Sequence, residues 1–109
     1  MSFRYHVAGV VCEEGSGRPL LDLVVRAFDK DVFLDDFVGE SRTDADGRFS
    51  IVFTQVEFQD AFETRPDLYL VVFDADAKRV LASTKSAIRW NADNEERYVI
   101  DVSAQALAG

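Results

Sequence analysis

Apolar and polar residues alternate over several short stretches of the chain, which is the pattern of β-strands that bury one face. The clearest stretch is residues 48–53, whose alternate apolar side chains we expect in the core: Phe49, Ile51 and Phe53. Residues 5–12 are apolar on both faces, and residues 68–73 form the most continuous apolar run in the chain. Short runs that are apolar throughout predict strands covered on both sides.

Turn-forming residues separate these stretches from further short strands. We predict the additional strands at residues 20–28, 40–43, 79–84 and 98–102, with turns rich in Gly, Pro or Asp at 13–19, 44–47 and 74–78. Residues 54–65 do not keep the two-residue period of a strand, and they predict a short helical turn or a packed loop. Residues 88–96 predict a polar connection anchored by Trp90. Six or seven short strands without a long helical period predict an all-β sandwich or barrel.

Composition narrows the function more than the fold. The chain has 109 residues, the size of one domain, so we assign residues 1–109 to a single domain. Its 20 acidic and 12 basic residues argue against nucleic-acid binding, because a protein that neutralises phosphates needs clustered Lys and Arg. A single His and a single Cys cannot form a zinc site, a dithiol pair or an internal disulfide. Without a signal sequence or a transmembrane run, we expect a cytoplasmic protein.

Four segments in sequence order carry a family resemblance: Val7-Ala8-Gly9-Val10-Val11, Gly17-Arg18-Pro19-Leu20, Val24-Val25-Arg26-Ala27-Phe28-Asp29 and Thr43-Asp44-Ala45-Asp46-Gly47-Arg48-Phe49. Together they resemble transthyretin-like and carboxypeptidase regulatory-like domains over about residues 5–75. The resemblance implies a seven-stranded Greek-key β-sandwich of the transthyretin-like (prealbumin-like) kind, often found as a non-catalytic accessory or interaction module. In the last segment, we expect Asp44 and Asp46 to bond amides of their own turn and Gly47 to take a positive φ.

One enzyme of the broader transthyretin-like group, the hydrolase of 5-hydroxyisourate, has a histidine on its first strand shortly before a Gly-x-Pro turn. His6, followed by Gly17-Arg18-Pro19, is similar at that point. The enzyme also needs further histidines and a Tyr-Arg-Gly-Ser ending, which this sequence lacks. A Ser-His-Asp triad could use only His6, and no serine lies in a nucleophile-elbow motif. We therefore predict no catalytic residues and no enzymatic activity. An atypical hydrolase that uses His6 is kept as an alternative hypothesis.

Carboxylates are concentrated in the segment after the second predicted strand. Over that short stretch, Asp29, Asp31, Asp35 and Asp36 resemble the calcium-binding loop of C2 domains. Calcium prefers six to eight oxygen ligands from flexible loops, so these four residues are the candidate Ca²⁺ ligands. The alternative is that the aspartates form turns and a solvated acidic rim. The spacing does not match an EF-hand.

Aromatic residues accompany these carboxylates. Phe33 and Phe37 lie in the acidic segment, and Phe58 and Phe62 lie in the next long connection, which simple strand alternation places at the same end of the domain. The four rings either form an exposed apolar patch that binds a protein or plug the end of the core. Membrane insertion is disfavoured, because anionic lipid repels an acidic rim unless calcium bridges them.

The leading hypothesis from the sequence is therefore a non-catalytic β-sandwich module that binds a protein partner through the 29–38 and 54–66 loops. A calcium-dependent binding module that uses the same acidic loop is the second hypothesis. A homo-oligomer formed through edge strands is a further possibility.

Overall fold

A computed structural model describes residues 2–56 and 65–109, and nearly all of the regular structure in these parts is β-strand. The strands are β1 (Ser2–Glu13), β2 (Val24–Asp29), β3 (Asp36–Arg42), β4 (Arg48–Val56), β5 (Leu68–Phe73), β6 (Val80–Ser83) and β7 (Glu95–Val102). A 3₁₀ turn spans Lys85–Ala87, and a short helix, α1, spans Ala104–Ala108. The prediction of an all-β domain is confirmed. Among the described residues, no helix is long and apolar enough to cross a membrane.

The described strands form two sheets. One has the order β4-β1-β7, and the other has the order β3-β2-β5-β6. Strand β1 lies in the middle of the first sheet, where it pairs antiparallel with β4 and parallel with β7. Pairing throughout the second sheet is antiparallel. The predicted central strand at residues 68–73 is confirmed, since β5 lies between β2 and β6.

The inner faces of the two sheets share one hydrophobic core. The three-stranded sheet contributes Phe49, Ile51 and Phe53 of β4, and the four-stranded sheet contributes Leu70 and Val72 of β5; all five are buried in the same cluster. The predicted core residues of β4 are therefore confirmed. Alternate residues of each strand face outward, which leaves the outer face of each sheet free for function.

Several strands begin at residues other than those predicted. Strand β2 begins at Val24 rather than at residue 20, because Asp22 adopts a φ of 64° that interrupts an extended chain. Strand β7 begins at Glu95 rather than at residue 98, because its polar residues 95–97 also pair with β1. Strand β3 begins at Asp36 and β4 continues to Val56, and both bounds lie inside segments predicted as loops.

The 43–47 turn confirms the expected roles of Asp44 and Gly47, whereas the Asp46 carboxylate accepts no hydrogen bond from the described residues. The Asp44 carboxylate accepts hydrogen bonds from the amides of Asp46 and Arg48, both at 2.9 Å. Gly47 has a φ of 73°, and a Cβ there would lie 2.4 Å from the Val11 carbonyl oxygen. Glycine is required at this position by both conformation and space.

Strand register places the loops at two ends. Asp29 of β2 pairs with Asp36 and with Leu68, so the segment between β2 and β3 lies at the same end as the start of β5. Val24 pairs with Arg42 and Phe73, which places the 43–47 turn at the opposite end. The acidic loop is thus separated from the 44–47 turn, as the alternation of strands predicts.

A close contact in the three-stranded sheet generates the first prediction. A Cβ at Gly9 would lie 2.2 Å from the Tyr98 carbonyl oxygen and 3.0 Å from the Phe49 ring, so neither neighbouring strand can pack at its present distance around a larger residue. We expect Gly9→Ala to lower the free energy of unfolding by about 1–3 kcal/mol in urea denaturation, as overpacking does. Ala8→Ser, on the opposite face of the same strand, is the control and should change stability by less than about 0.5 kcal/mol. Equal stabilities for Gly9→Ala and the wild type would contradict this packing.

Candidate functional site

The loop between β2 and β3 presents three consecutive apolar side chains to solvent. Val32 is 84% exposed, Phe33 is 98% exposed and Leu34 is 78% exposed. We refer to these three residues as the apolar tip. Single exposed apolar residues are common on protein surfaces, but a contiguous cluster marks a binding site or an aggregation hazard.

The loop that carries the apolar tip is fastened at its base by Asp35. The Tyr69 hydroxyl donates a hydrogen bond to this carboxylate at 2.5 Å, and the backbone amide of Asp31 donates another at 3.1 Å. The ammonium groups of Lys30 and Lys85 lie 3.5 and 3.3 Å from the carboxylate oxygens. Because Tyr69 belongs to β5 and is buried, these contacts tie the loop to the sheet.

These contacts shift the titration of both partners. The hydrogen bond from Tyr69, followed by that from the Asp31 amide, holds the pKa of Asp35 well below its usual range. Burial, together with the nearby Asp35 carboxylate, raises the pKa of Tyr69 to about 12. The pair is therefore a phenol that donates to a carboxylate across the neutral pH range, which is a strong, charge-assisted hydrogen bond.

Phe37 extends the apolar surface from the loop onto the outer face of the four-stranded sheet. Its ring packs edge-on against Phe28 with centroids 6.0 Å apart, and Phe28 stacks on Tyr69 at 5.3 Å. Phe37 nevertheless remains 56% exposed. Phe33 and Phe37 are therefore exposed and do not plug the end of the core, and protein binding by these two rings stays a prediction. Phe58 and Phe62 lie outside the described residues, so their role in binding stays a prediction.

The four predicted calcium ligands are not gathered around a common point. The Asp29 carboxylate accepts hydrogen bonds from the Asp67 amide at 2.9 Å and from Gln55 at 3.2 Å, and burial raises its pKa. Asp35 is engaged by Tyr69 and two lysines, as described above. Within residues 2–56 and 65–109, no group of three or more Asp, Glu, His or Cys side chains could hold a metal ion. For Asp29, Asp31, Asp35 and Asp36, the described contacts favour the alternative of turn formation and an acidic rim.

Trp90 was expected as an anchor, and this expectation is wrong. Its side chain is 63% exposed, while Ala92 is buried in the core. The segment is held instead by backbone bonds between Leu68 and Arg89 and by the Ala92 amide bonding to the Pro66 carbonyl. Trp90 lines a surface cavity of about 390 Å³ together with Lys30 and Val32, so it borders the apolar tip. No sequence signal showed this proximity, because it depends on the pairing of distant strands.

His6 lies elsewhere, on the outer face of the three-stranded sheet. Its Nε2 atom is 2.8 Å from the Ser50 hydroxyl oxygen, and its Nδ1 atom is 2.9 Å from a Glu95 carboxylate oxygen. His6 is therefore a sheet-face residue with hydrogen-bond partners on both neighbouring strands. The involvement of Glu95 was missed, because this residue was placed in a polar connection and not on a strand.

No protein-family model and no curated protein sequence matches this chain. Among solved structures, a 9R-lipoxygenase from Cyanothece PCC8801 is similar with a TM-score of 0.63 and 21% sequence identity, over 93% of this chain and 16% of the lipoxygenase. The dioxygenase domain of a dioxygenase carbohydrate-binding protein fusion from Streptomyces sp. SirexAA-E aligns with a TM-score of 0.47 and 13% identity, over 92% of this chain and 80% of that one. The chain thus spans about a sixth of the lipoxygenase, and at this identity the likeness concerns the fold alone.

The contacts of Asp35 generate the second prediction. Because the pKa of this carboxyl is lowered in the folded state, its contribution to stability is fully present above the ordinary aspartate pKa of about 3.9 and is lost as the pH falls further. We expect Asp35→Asn to have a lower melting temperature than the wild type at pH 7, and the difference to shrink below about pH 4. Differential scanning calorimetry at pH 7 and pH 3 measures both values.

Asp46→Asn is the matched control, because the Asp46 carboxylate lies in the exposed 43–47 turn and forms no hydrogen bond or ion pair with any residue in the described ranges. Its melting temperature should follow the wild type at both pH values. A difference between Asp35→Asn and the wild type that is the same at pH 7 and pH 3 would contradict the charged hydrogen bond.

Calcium addition is the third prediction. Since the carboxylates of Asp29 and Asp35 already accept hydrogen bonds from protein groups, we expect millimolar Ca²⁺ to leave the melting temperature unchanged. A ligand that binds only the folded state would raise it. A rise of several degrees that disappears in Asp31→Ala would establish the calcium site after all.

Proposed function

We propose that this domain is an interaction module that binds a protein partner through the apolar tip. The observation that supports this proposal is the exposure of Val32, Phe33 and Leu34 on a loop that is fastened to the sheet through Asp35. Water is expelled from such a surface when a partner covers it, and this is the main driving force for protein association. Phe37 and Trp90 extend the same surface, and aromatic residues are enriched at the centres of protein interfaces.

Fastening of the loop matters for affinity. A loop that must become ordered on binding loses conformational entropy, which weakens the complex. The contacts of Asp35 with Tyr69, Lys30 and Lys85 order the base of this loop before any partner arrives. Less of the loop must then become ordered when Phe33 enters a pocket on the partner.

The charge around the apolar tip favours a protein over a membrane. Asp31 directly precedes the tip, and Asp35 and Asp36 directly follow it. If more than the apolar tip entered a bilayer, these carboxylates would reach the headgroup region, where anionic lipids repel them. A protein partner with an apolar pocket and a basic rim complements both features. The net charge of -8 of the whole chain also favours a basic protein partner over an anionic membrane.

Binding is the role proposed for this end of the domain because the side chains of the apolar tip that it presents to solvent, Val32, Phe33 and Leu34, can neither act as nucleophiles nor transfer protons. We also propose the finer fold assignment, a transthyretin-like Greek-key sandwich. It is supported by the path of the chain, which leaves the β4-β1-β7 sheet after β1, returns for β4, and returns again for β7 beside β1. An accessory role beside other domains agrees with the small share of the lipoxygenase that has this fold.

Peptide selection followed by calorimetry tests the proposal. Phage-displayed random peptides are selected on the immobilised domain, and the affinity of the selected peptides is measured by titration calorimetry. We expect these peptides to combine apolar with basic residues and to lose at least about tenfold in affinity for Phe33→Ser, with unchanged protein stability because the ring is exposed.

Val80→Ser is the matched control, since Val80 is an exposed apolar residue on β6, away from the loop. It should bind the selected peptides as the wild type does. Equal affinity of the peptides for Phe33→Ser and the wild type would overturn the proposal, and so would binding of the wild type to phosphatidylserine vesicles that depends on Phe33. Sedimentation of the wild type that shows a dimer lost in Phe33→Ser would identify a second copy of this chain as the partner.

A further inference from the structure

Three strands bring a serine, a histidine and a glutamate into line on the outer face of the three-stranded sheet. His6 is on β1, Ser50 on β4 and Glu95 on β7, and His6 is the direct register partner of Glu95. The Ser50 hydroxyl oxygen lies 2.8 Å from Nε2 of His6, and a Glu95 carboxylate oxygen lies 2.9 Å from Nδ1. These distances are within hydrogen-bond range.

The chemistry of the three groups fixes the direction of both hydrogen bonds. An ionised carboxylate only accepts, so Nδ1 of a neutral His6 carries the proton and donates it to Glu95. Nε2 is then unprotonated and accepts the hydrogen bond from the Ser50 hydroxyl. This is the arrangement of a nucleophile, a general base and a group that orients the base.

We propose that Ser50, His6 and Glu95 form a nucleophilic site that hydrolyses small carboxylic esters. Ser50 is the nucleophile, His6 is the general base and then the general acid, and Glu95 is a positioning residue. The site is separate from the apolar tip, which lies on a loop of the other sheet, so it adds a catalytic activity to the proposed binding role and departs from the expectation of a domain without catalytic residues.

Stability alone does not account for the arrangement. The side chain of His6 is about one-third exposed and that of Glu95 is about two-thirds exposed. Polar contacts between exposed groups contribute little to folding, commonly less than about 1 kcal/mol. The same three residues line or border a surface cavity of about 410 Å³, which is the size of a small-molecule site.

The cavity also holds groups that a substrate would use. Arg4 and Asn94 line it, and the Arg4 guanidinium has no hydrogen-bond or ion-pair partner anywhere in residues 2–56 and 65–109. Ser50 lies within a strand, and no helix of the described residues begins beside it, so side-chain donors are needed for the oxyanion, and Arg4 is such a donor. Val52 supplies an apolar wall for a short acyl chain.

The reaction balances without any cofactor. Ser50 Oγ attacks the ester carbonyl carbon while its proton passes to Nε2 of His6. The bond from that carbon to the alcohol oxygen breaks, the leaving oxygen takes the proton from His6, and the acyl group remains on Ser50. Water then gives a proton to Nε2 and attacks the acyl carbon, and Ser50 Oγ leaves and recovers the proton. The net products are a carboxylic acid and an alcohol.

Covalent labelling tests the nucleophile directly. The full chain is incubated with diisopropyl fluorophosphate, which phosphorylates an activated serine and releases fluoride, and the product is examined by intact mass and peptide mapping. We expect one adduct on Ser50 and none in Ser50→Ala or His6→Gln. Ser83→Ala, a serine without a histidine beside it, should label as the wild type does. An adduct that does not map to Ser50, or no adduct, would overturn the proposal.

Hydrolysis of p-nitrophenyl acetate separates the triad from a histidine that acts alone. Ser50→Ala and His6→Gln should each reduce kcat/KM by at least about hundredfold, and Glu95→Gln should reduce kcat by at least about tenfold with little change in KM. Circular dichroism checks that each variant is folded. Wild-type activity in Ser50→Ala would show that His6 acts as a simple base and would overturn the proposal. Val80→Ser, an exposed substitution on the other sheet, should retain full activity.

Discussion

The position of β1 between two other strands constrains the whole three-stranded sheet. Because β1 pairs with β4 on one side and β7 on the other, its register decides which residues face the core and which face solvent. Val7 points inward with Ile51 and Ile100, whereas His6 points outward. A slip of one residue in either pairing would exchange these faces. The core and the Ser50-containing site therefore depend on the same register.

In the four-stranded sheet, the candidate binding residues are exposed on a loop that is bonded to the sheet, and not on the face of a strand. Three large apolar side chains on a loop tend to fold back onto the protein surface, and the loop resists this because its polar residues are bonded to the sheet. Tyr69 contributes in two ways, as a buried ring stacked on Phe28 and as a hydrogen-bond donor to Asp35. The carboxylate at the base of the loop thus fastens the loop that exposes Phe33. The proposed binding and the proposed hydrolysis are assigned to different sheets, so substitutions can test each separately.

Local pattern predicted much of the fold and less of the sites. Alternation placed Ile51 in the core because burial on one face leaves a period of two in the sequence. It could not place Glu95 beside His6, because a polar strand that faces solvent resembles a loop and because parallel pairing between the first and last strands leaves no local signal. In the acidic loop the aromatic pattern indicated Phe33 and Phe37, but it indicated neither Val32 and Leu34 nor the anchor of the loop. The contact of Asp35 with Tyr69 joins positions 34 residues apart in sequence.

The proposed binding role depends on an apolar tip that is ordered in the free protein. Backbone ¹⁵N relaxation of residues 31–35 measures this order directly on the picosecond to nanosecond timescale. We expect order parameters near the value of about 0.85 that is typical of rigid backbone, and lower values in Asp35→Asn. Order parameters below about 0.6 for these residues in the wild type, unchanged in Asp35→Asn, would contradict this expectation.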